Sequence, residues 1–305
     1  MTLHKTVVAL LILSSLRAVP ALADATIRVA VGGSQAASIP FSVGTRKGIF
    51  AKHGLNVEVI SITNAQMSAQ AQLSGSVQLA TSNPTGFFYL ARQGADAVGI
   101  ASWNNSSPYS LASRLKIKDV SGLKGKKIGT SGAGGRSDAF IKYSLAKIGL
   151  DPRRDIEILS LTGGSAVRLA AAVSGKVDGT LISYTQEKQA QKLGLAVIPL
   201  PLEYVQGLIT TQRPYLERNA KLVKAFLRGL GESIRAVRAD REGTLKIIAS
   251  VLRTDDKEVL EHAYNTLRVQ VVPGLVPTEE AIVSVLKTMS YDDPAFESIP
   301  PFKHF

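Results

Sequence analysis

Ser61-Ile62-Thr63 followed by Ser74-Gly75-Ser76-Val77 is echoed, about a hundred residues later, by Ser160-Leu161-Thr162 followed by Ser174-Gly175-Lys176-Val177. Both copies read the same way. A hydroxyl-bearing stretch ends a strand, a helix follows, and Ser-Gly closes that helix because glycine accepts the left-handed backbone of a helix stop. A valine then opens the next strand. An echo at equivalent places in a strand-helix-strand rhythm implies one α/β plan used twice.

Outward from the first copy, strands are expected over residues 27–31, 57–62, 77–81 and 97–102. Helices are expected over 41–52, 65–73 and 84–92, stopped by Gly54, Gly75 and Gly94. Around the second copy, strands fall at 127–130, 156–161 and 177–182 and helices at 136–148 and 166–173. After Arg213-Pro214 the pattern changes to amphipathic helices over 218–238, 242–251, 257–266 and 279–289, the last capped by Pro277-Thr278, which read as a helical cover. Residues 108–113 and 206–212 are extended candidates that fit inside neither series and are read as crossings between two lobes. The expected division is lobe 1 over 24–108 with 212–305, including the cover, and lobe 2 over 109–211.

Residues 1–23 carry Lys5 and Arg17 around the apolar run 7–13 and end in Ala21-Leu22-Ala23, the pattern of a secretory signal peptide cleaved near Ala23. No later stretch is apolar for the eighteen or so residues of a membrane span, so a periplasmic protein is expected. The absence of cysteine excludes disulfides, thiolate metal sites, a cysteine nucleophile and a cysteine-borne lipid anchor. The net charge of +12 is scattered along the chain and accompanied by a single tryptophan, a cationic surface that favours anions without the marks of nucleic-acid binding.

In open α/β sheets a ligand sits beyond the carboxyl ends of the strands, where loops and helix N-termini converge. Those loops supply Ser34, Gln35 and Ser38 after the first strand, Ser82 and Asn83 after the third, and Trp103 and Asn104 after the fourth. The second lobe supplies Ser131, Gly134, Gly135, Arg136 and Ser137 in a glycine-rich turn that opens a helix, together with Ser183 and Tyr184. Hydroxyls, amides and free backbone N–H groups at a helix start can hold an oxyanion without a metal. Arg136 either pairs bidentately with that oxyanion or faces solvent. Trp103 either stacks on an apolar part of the ligand or packs in the core or hinge, and Ser82, Asn83 and Asn104 also suit caps and turns. The turn is neither a dinucleotide fingerprint nor a P-loop: Ser137 stands at the third glycine position, and no Gly-Lys-Ser/Thr occurs.

Catalysis is poorly provided for. Of the four histidines, His4 lies in the leader, His53 beside Gly54, His262 in a C-terminal helix and His304 near the terminus, none at a strand's carboxyl end. Asp138, in a helix's first turn, complements the dipole and has no second acid or base beside it. No metal-ligand cluster is visible and no cofactor is expected.

Gly48-Ile49-Phe50 with residues 54–59, Leu73-Ser74-Gly75-Ser76-Val77, residues 123–129, and Ser174-Gly175-Lys176-Val177-Asp178-Gly179 resemble, in order and spacing, the periplasmic solute-binding proteins of nitrate, taurine and aliphatic-sulfonate importers, a family that also includes binders of thiamine-pyrimidine precursors. The resemblance covers most of the chain after the leader. It implies an α/β, two-lobed periplasmic binding protein fold of type II-like plan with two crossing segments, and C-terminal helices packed back on the first lobe. It further implies a monomer that captures a small molecule for an ABC transporter permease, with no nucleic-acid partner and no chemistry of its own. A ligand-sensing subunit with the same cleft is the alternative; an enzyme like the eukaryotic thiamine-pyrimidine synthases lacks the cysteine-rich segment that it would need. Gln78 departs from the family's acidic residue, which Asp178 keeps, and that acid is read as structural.

Overall fold

The computed structural model describes residues 25–290 apart from 33–34, 63–64, 83, 85–86, 88–93, 108, 133–135, 162–163, 201 and 273. The signal-peptide reading over 1–23, and most of the helix expected over 84–92, lie outside the described residues.

The first series forms β1 (Ala25–Val31), α1 (Ile39–Arg46), α2 (Ile49–Lys52), β2 (Leu55–Ser61), α3 (Ala65–Leu73), β3 (Leu79–Ser82) and β4 (Ala97–Ser102). The second forms β5 (Ser110–Ser113), β6 (Lys126–Thr130), α4 (Arg136–Lys147), β7 (Ile156–Ser160), α5 (Ser165–Val173), β8 (Gly179–Ile182), α6 (Glu187–Lys192) and β9 (Ala196–Pro199). The chain then returns as β10 (Leu208–Gln212) and continues through α7 (Arg213–Arg218), α8 (Ala220–Ala239), α9 (Arg241–Leu252), α10 (Lys257–Gln270) and α11 (Glu279–Ser290).

Two five-stranded sheets result, in the orders β2-β1-β3-β10-β4 and β7-β6-β8-β5-β9. β1 pairs in parallel with β2 and β3, and β6 with β7 and β8. β10 and β5 are the antiparallel members, each inserted between two strands of the sheet that the chain has just entered. In β1, Val29, Ala30 and Val31 are consecutively buried, as a central parallel strand covered on both faces requires.

The repeat has a physical basis at the start of β3 and β8. The Gln78 side-chain oxygen accepts from Arg28 N–H at 2.9 Å, while the Asp178 carboxylate accepts from Lys127 N–H at 3.0 Å. Both side chains therefore tie the turn after a helix to the neighbouring parallel strand, so the structural reading of this position holds for amide and acid alike. Val77 and Gln78 are used in that turn, through Val77 N–H to Ala71 C=O and Gln78 N–H to Arg28 C=O. This is why β3 begins two residues later than periodicity predicts.

Each sheet has its own core. On the first, α8 buries Val223, Phe226, Leu230, Ile234 and Val237 at helical spacing, and Phe226 stacks on Phe50 with ring centres 5.5 Å apart. A Cβ on Gly44 would lie 2.4 Å from the Phe50 ring and 2.4 Å from Ser233 Oγ, so α1 and α8 approach this closely only across a glycine. The cover divides between the lobes. α8 and α9 pack on the first, whereas α11 sets Ala281, Ile282, Val285 and Met289 into the cluster around Phe140, Leu145 and Tyr204 of the second. Lys147 and Glu280 close that contact at 3.2 Å. The expectation that all C-terminal helices pack back on the first lobe thus gives way at α11, whose apolar face meets α4 because the strap over residues 272–278 carries it across.

Asp178 also receives both guanidinium contacts from Arg114, at 2.9 and 2.7 Å, and the Lys127 N–H bond with this cation holds its carboxyl below the usual aspartate value of 3.8. Because the folded value is depressed, the contribution is complete above pH 3.8 and is lost as pH falls below it. Asp178→Ala should cost on the order of 1–2 kcal/mol in urea unfolding at neutral pH. Asp178→Asn, which keeps an acceptor oxygen as Gln78 does, should cost less and flatten the loss of stability in acid.

Candidate functional site

The register at the crossings decides which edges face each other. Leu208, where β10 begins, pairs with Ser82 at the carboxyl end of β3 and with Ser102 at that of β4. Ser110, where β5 begins, pairs with Ile182 at the carboxyl end of β8 and with Pro199 at that of β9. Both crossings therefore run from carboxyl edge to carboxyl edge, over residues 103–109 and 200–207, and bring together the two edges that carry the loops. The expected crossings over 108–113 and 206–212 instead lie mostly inside the sheets as β5 and β10, because these extended stretches pair with neighbouring strands. Val31 pairs with Thr81 and Gly32 N–H donates to Thr81 C=O at 2.8 Å, so the loops after β1 and β3 leave the first sheet side by side.

Across from them, the turn between β6 and α4 is held from beneath. Thr130 Oγ1 donates to buried Asp138 at 3.2 Å and accepts from Gly132 N–H at 3.2 Å. Ser137 Oγ accepts from Ser131 N–H at 2.8 Å and donates to Ser131 Oγ at 2.9 Å. Lys142 Nζ lies 2.6 Å from Asp138 and balances its charge one helical turn on. Asp138 is thus more than a dipole complement: it anchors the strand end from which the glycine turn departs.

The sequence-selected residues separate into three groups. Ser131, Ser137 and Ser183 stand at carboxyl edges of the second lobe; Ser137 is buried, and Ser183 bonds Gln186 through its backbone N–H and its hydroxyl, both at 3.3 Å. Gln35 opens the short 3-10 turn Gln35–Ser38, Ser38 sits half-buried before α1, Ser82 ends β3 and Arg136 begins α4. The side chains of Gln35, Ser82 and Arg136, and the whole of Ser34, Asn83, Gly134 and Gly135, lie outside the described residues.

Trp103 and Asn104 belong to the hinge. The Trp103 indole is 4 % exposed, donates from Nε1 to Thr81 Oγ1 at 3.0 Å and meets Phe41 edge-on; its backbone bonds Gly207 C=O and Val272 N–H. Of the two roles open to it, packing is the one it fills in this conformation. Asn104 is buried with its amide directed to Gln206 and Gln270 and its oxygen accepting from Ser106 N–H. The two residues therefore join both crossings and the end of α10 into one piece.

Tyr184 is a lobe 2 residue buried in the lobe 1 core, where burial pushes its phenol well above the ordinary value. Its carbonyl and the Glu187 carboxylate both face His262 Nε2, at 3.0 and 2.9 Å, and Ser110 Oγ donates to Glu187. Beside them Lys188 pairs with Glu258, and Lys192 with Asp256 and Glu258, at 3.0–3.3 Å. Sequence reading missed this seam between α6 and α10. Its residues look like ordinary solvent-facing helix charges and only meet across about seventy residues of chain. A cavity of about 880 Å³ adjoins the seam, lined by the crossing segments, Tyr184, Glu187 and the end of α10.

Fold and edge-to-edge arrangement define the class: an α/β protein with the two-lobed, type II periplasmic-binding-protein fold. A family model described as NMT1/THI5 like matches residues 35–243, and the chain belongs to that family. The periplasmic aliphatic sulphonate binding protein SsuA from Escherichia coli superposes with a TM-score of 0.70 at 19 % identity, over 88 % of each chain. The periplasmic nitrate-binding protein NrtA from Synechocystis PCC 6803 gives 0.64 at 16 % identity, over 91 % of this chain and 83 % of that one. A relative in Brucella abortus (strain 2308), provisionally named a binding protein, is 24 % identical over 233 residues, 73 % of this chain and 70 % of its own.

The crossing is tightly packed where Gly207 meets Trp103, because a Cβ there would lie 2.4 Å from Nε1. Gly207→Ala should destabilise the protein by about 1–3 kcal/mol in urea unfolding, against no comparable loss for a substitution at exposed Gly175 that keeps the left-handed backbone, such as Gly175→Asn. At the seam, Lys188→Gln with Lys192→Gln should lengthen the distance between spin labels on α5 and α9, and raised ionic strength should reproduce that shift in the parent but add little in the variant.

Proposed function

We propose that the chain is the periplasmic solute-binding component of an ABC importer, which captures a small anionic solute of sulfonate, nitrate or carboxylate type between its lobes and presents the closed form to a membrane permease. The observation that carries the reading is the crossing register, which turns the loop-bearing carboxyl edges of both sheets toward each other. A ligand held by both edges favours the closed arrangement, and only such differential affinity can convert capture into a signal. Residues from both edges would share the solute: Ser34, Gln35, Ser38, Ser82 and Asn83 on one side, and the turn of Ser131, Gly134, Gly135 and Arg136 with Ser183 on the other.

Anion preference is supported by the chemistry of that turn. It offers backbone N–H groups at the start of the twelve-residue helix α4, and the carboxylate in the first turn of that helix, Asp138, is already paired with Lys142. Of the histidines among the described residues, His53 faces Glu232 away from the strand edges, and His262, close to the carboxyl edge of β8, is engaged by the Tyr184 carbonyl and Glu187. Trp103 and Asn104 would transmit closure through the hinge without touching the solute.

A thermal-shift screen of the protein against sulfonates, nitrate, carboxylates and pyrimidines tests this. A ligand at a hundred times its dissociation constant should stabilise the native state by about 2.7 kcal/mol, and Arg136→Ala should abolish a shift produced by an anion. Selective stabilisation by a neutral pyrimidine would move the substrate class to thiamine precursors. Turnover of any of these molecules, without a shift, would overturn the binding role.

A further inference from the structure

Lys221, Lys224, Arg228 and Arg235 are exposed on α8, and at 100° per residue they fall within about 60° of its circumference. They form a straight cationic row about 21 Å long on the face opposite buried Val223, Phe226, Leu230 and Val237. Among the described residues none of the four has a carboxylate within ion-pair distance, and the acid beside them, Glu232, is held by His53 at 3.1 Å. Lys224 and Arg228 stand four residues apart, a like-charge spacing that weakens a helix. Lys224, Arg228 and Arg235 also line a groove of about 470 Å³ floored by Gly231 and bounded by His53 and Gly274.

We propose that this face of α8 docks the protein on an anionic phospholipid surface. The row is longer than any single small anion, so its complement is an extended array of negative groups. A protein partner would call for apolar or aromatic anchors at the centre of the contact. The exposed large apolar side chains among the described residues are Met67, Leu73, Ile148, Val167, Val173, Leu193, Val269 and Val276, and none lies on α8. A cationic face with no exposed large apolar side chain, its groove lined by Leu227 and Leu275 as well as by cations, gives weak, reversible, salt-sensitive attachment, which would confine the protein to two dimensions while leaving the lobes free to open. None of the four cations belongs to the strand-edge loops, so the inference stands apart from the solute-binding reading.

The test is flotation of the purified protein with vesicles of phosphatidylcholine alone and with added phosphatidylglycerol, at low and high salt. Binding should require the anionic lipid and fall with salt. Lys224→Gln with Arg228→Gln and Arg235→Gln should reduce it on the order of a hundredfold, at about fivefold per cation, with the melting temperature unchanged. A control triple of equal charge change on the other lobe, Lys116→Gln with Lys118→Gln and Lys176→Gln, should bind nearly as the parent does. Equal loss in both triples would overturn the assignment to α8 in favour of diffuse net charge. Absence of vesicle binding would overturn the proposal, and retention of the parent, but not the α8 triple, on immobilised polyglutamate in that case would reassign the row to an acidic protein.

Discussion

Each sheet is completed by a strand that arrives from the other lobe. β10 lies between β3 and β4, and β5 between β8 and β9, so neither sheet closes until the chain has crossed. This constraint sets the rest of the molecule. The entering strand must run antiparallel to its neighbours, and it must begin at their carboxyl ends, since that is where the crossing delivers it. The loops that a parallel α/β sheet leaves at its carboxyl edge are thereby gathered around the hinge in both lobes.

The hinge is consequently short and dense. Trp103 fills the space that Gly207 leaves open, Asn104 bonds across to Gln206 and Gln270, and Tyr184 inserts from the second lobe into the first core. These contacts are buried, and those of Trp103 and Asn104 are hydrogen-bonded as well. The outer part of the seam between α6 and α10 is of another kind, because Lys192 and Glu258 are exposed and can exchange for water at small cost, unlike the half-buried Glu187 and His262. A densely packed crossing beside an edge held by exposed charge pairs is the arrangement that the proposed parting and rejoining of the lobes would use.

Charge is distributed with comparable economy. Acids meet bases at the seam and beneath the glycine turn, while four exposed cations with no carboxylate within ion-pair distance among the described residues line one solvent face of α8. The net charge of +12 thus includes, besides cations spread over the chain, a row with a definite place and direction.

The sequence by itself determined the strand-helix rhythm, the repeated plan and the extended character of residues 110–113 and 208–212, because periodicity and glycine helix stops are local signals, whereas the places of these two segments inside the sheets as β5 and β10 were set by the tertiary structure. It also pointed to the carboxyl edges that the crossings bring together, since loops after parallel strands are where polar residues have room. Roles at those edges were decided only by tertiary structure. Trp103 read equally as a stacking platform or as packing until Phe41, Thr81 and Gly207 surrounded it. Glu187 and His262 looked like ordinary helix residues until a contact across seventy-five positions joined them. α11 carried an apolar stripe that fits either lobe, and only the path of the preceding strap committed it to the second. Local pattern states which face of an element must be buried, whereas the identity of the partner depends on contacts distant in sequence, which no local pattern encodes.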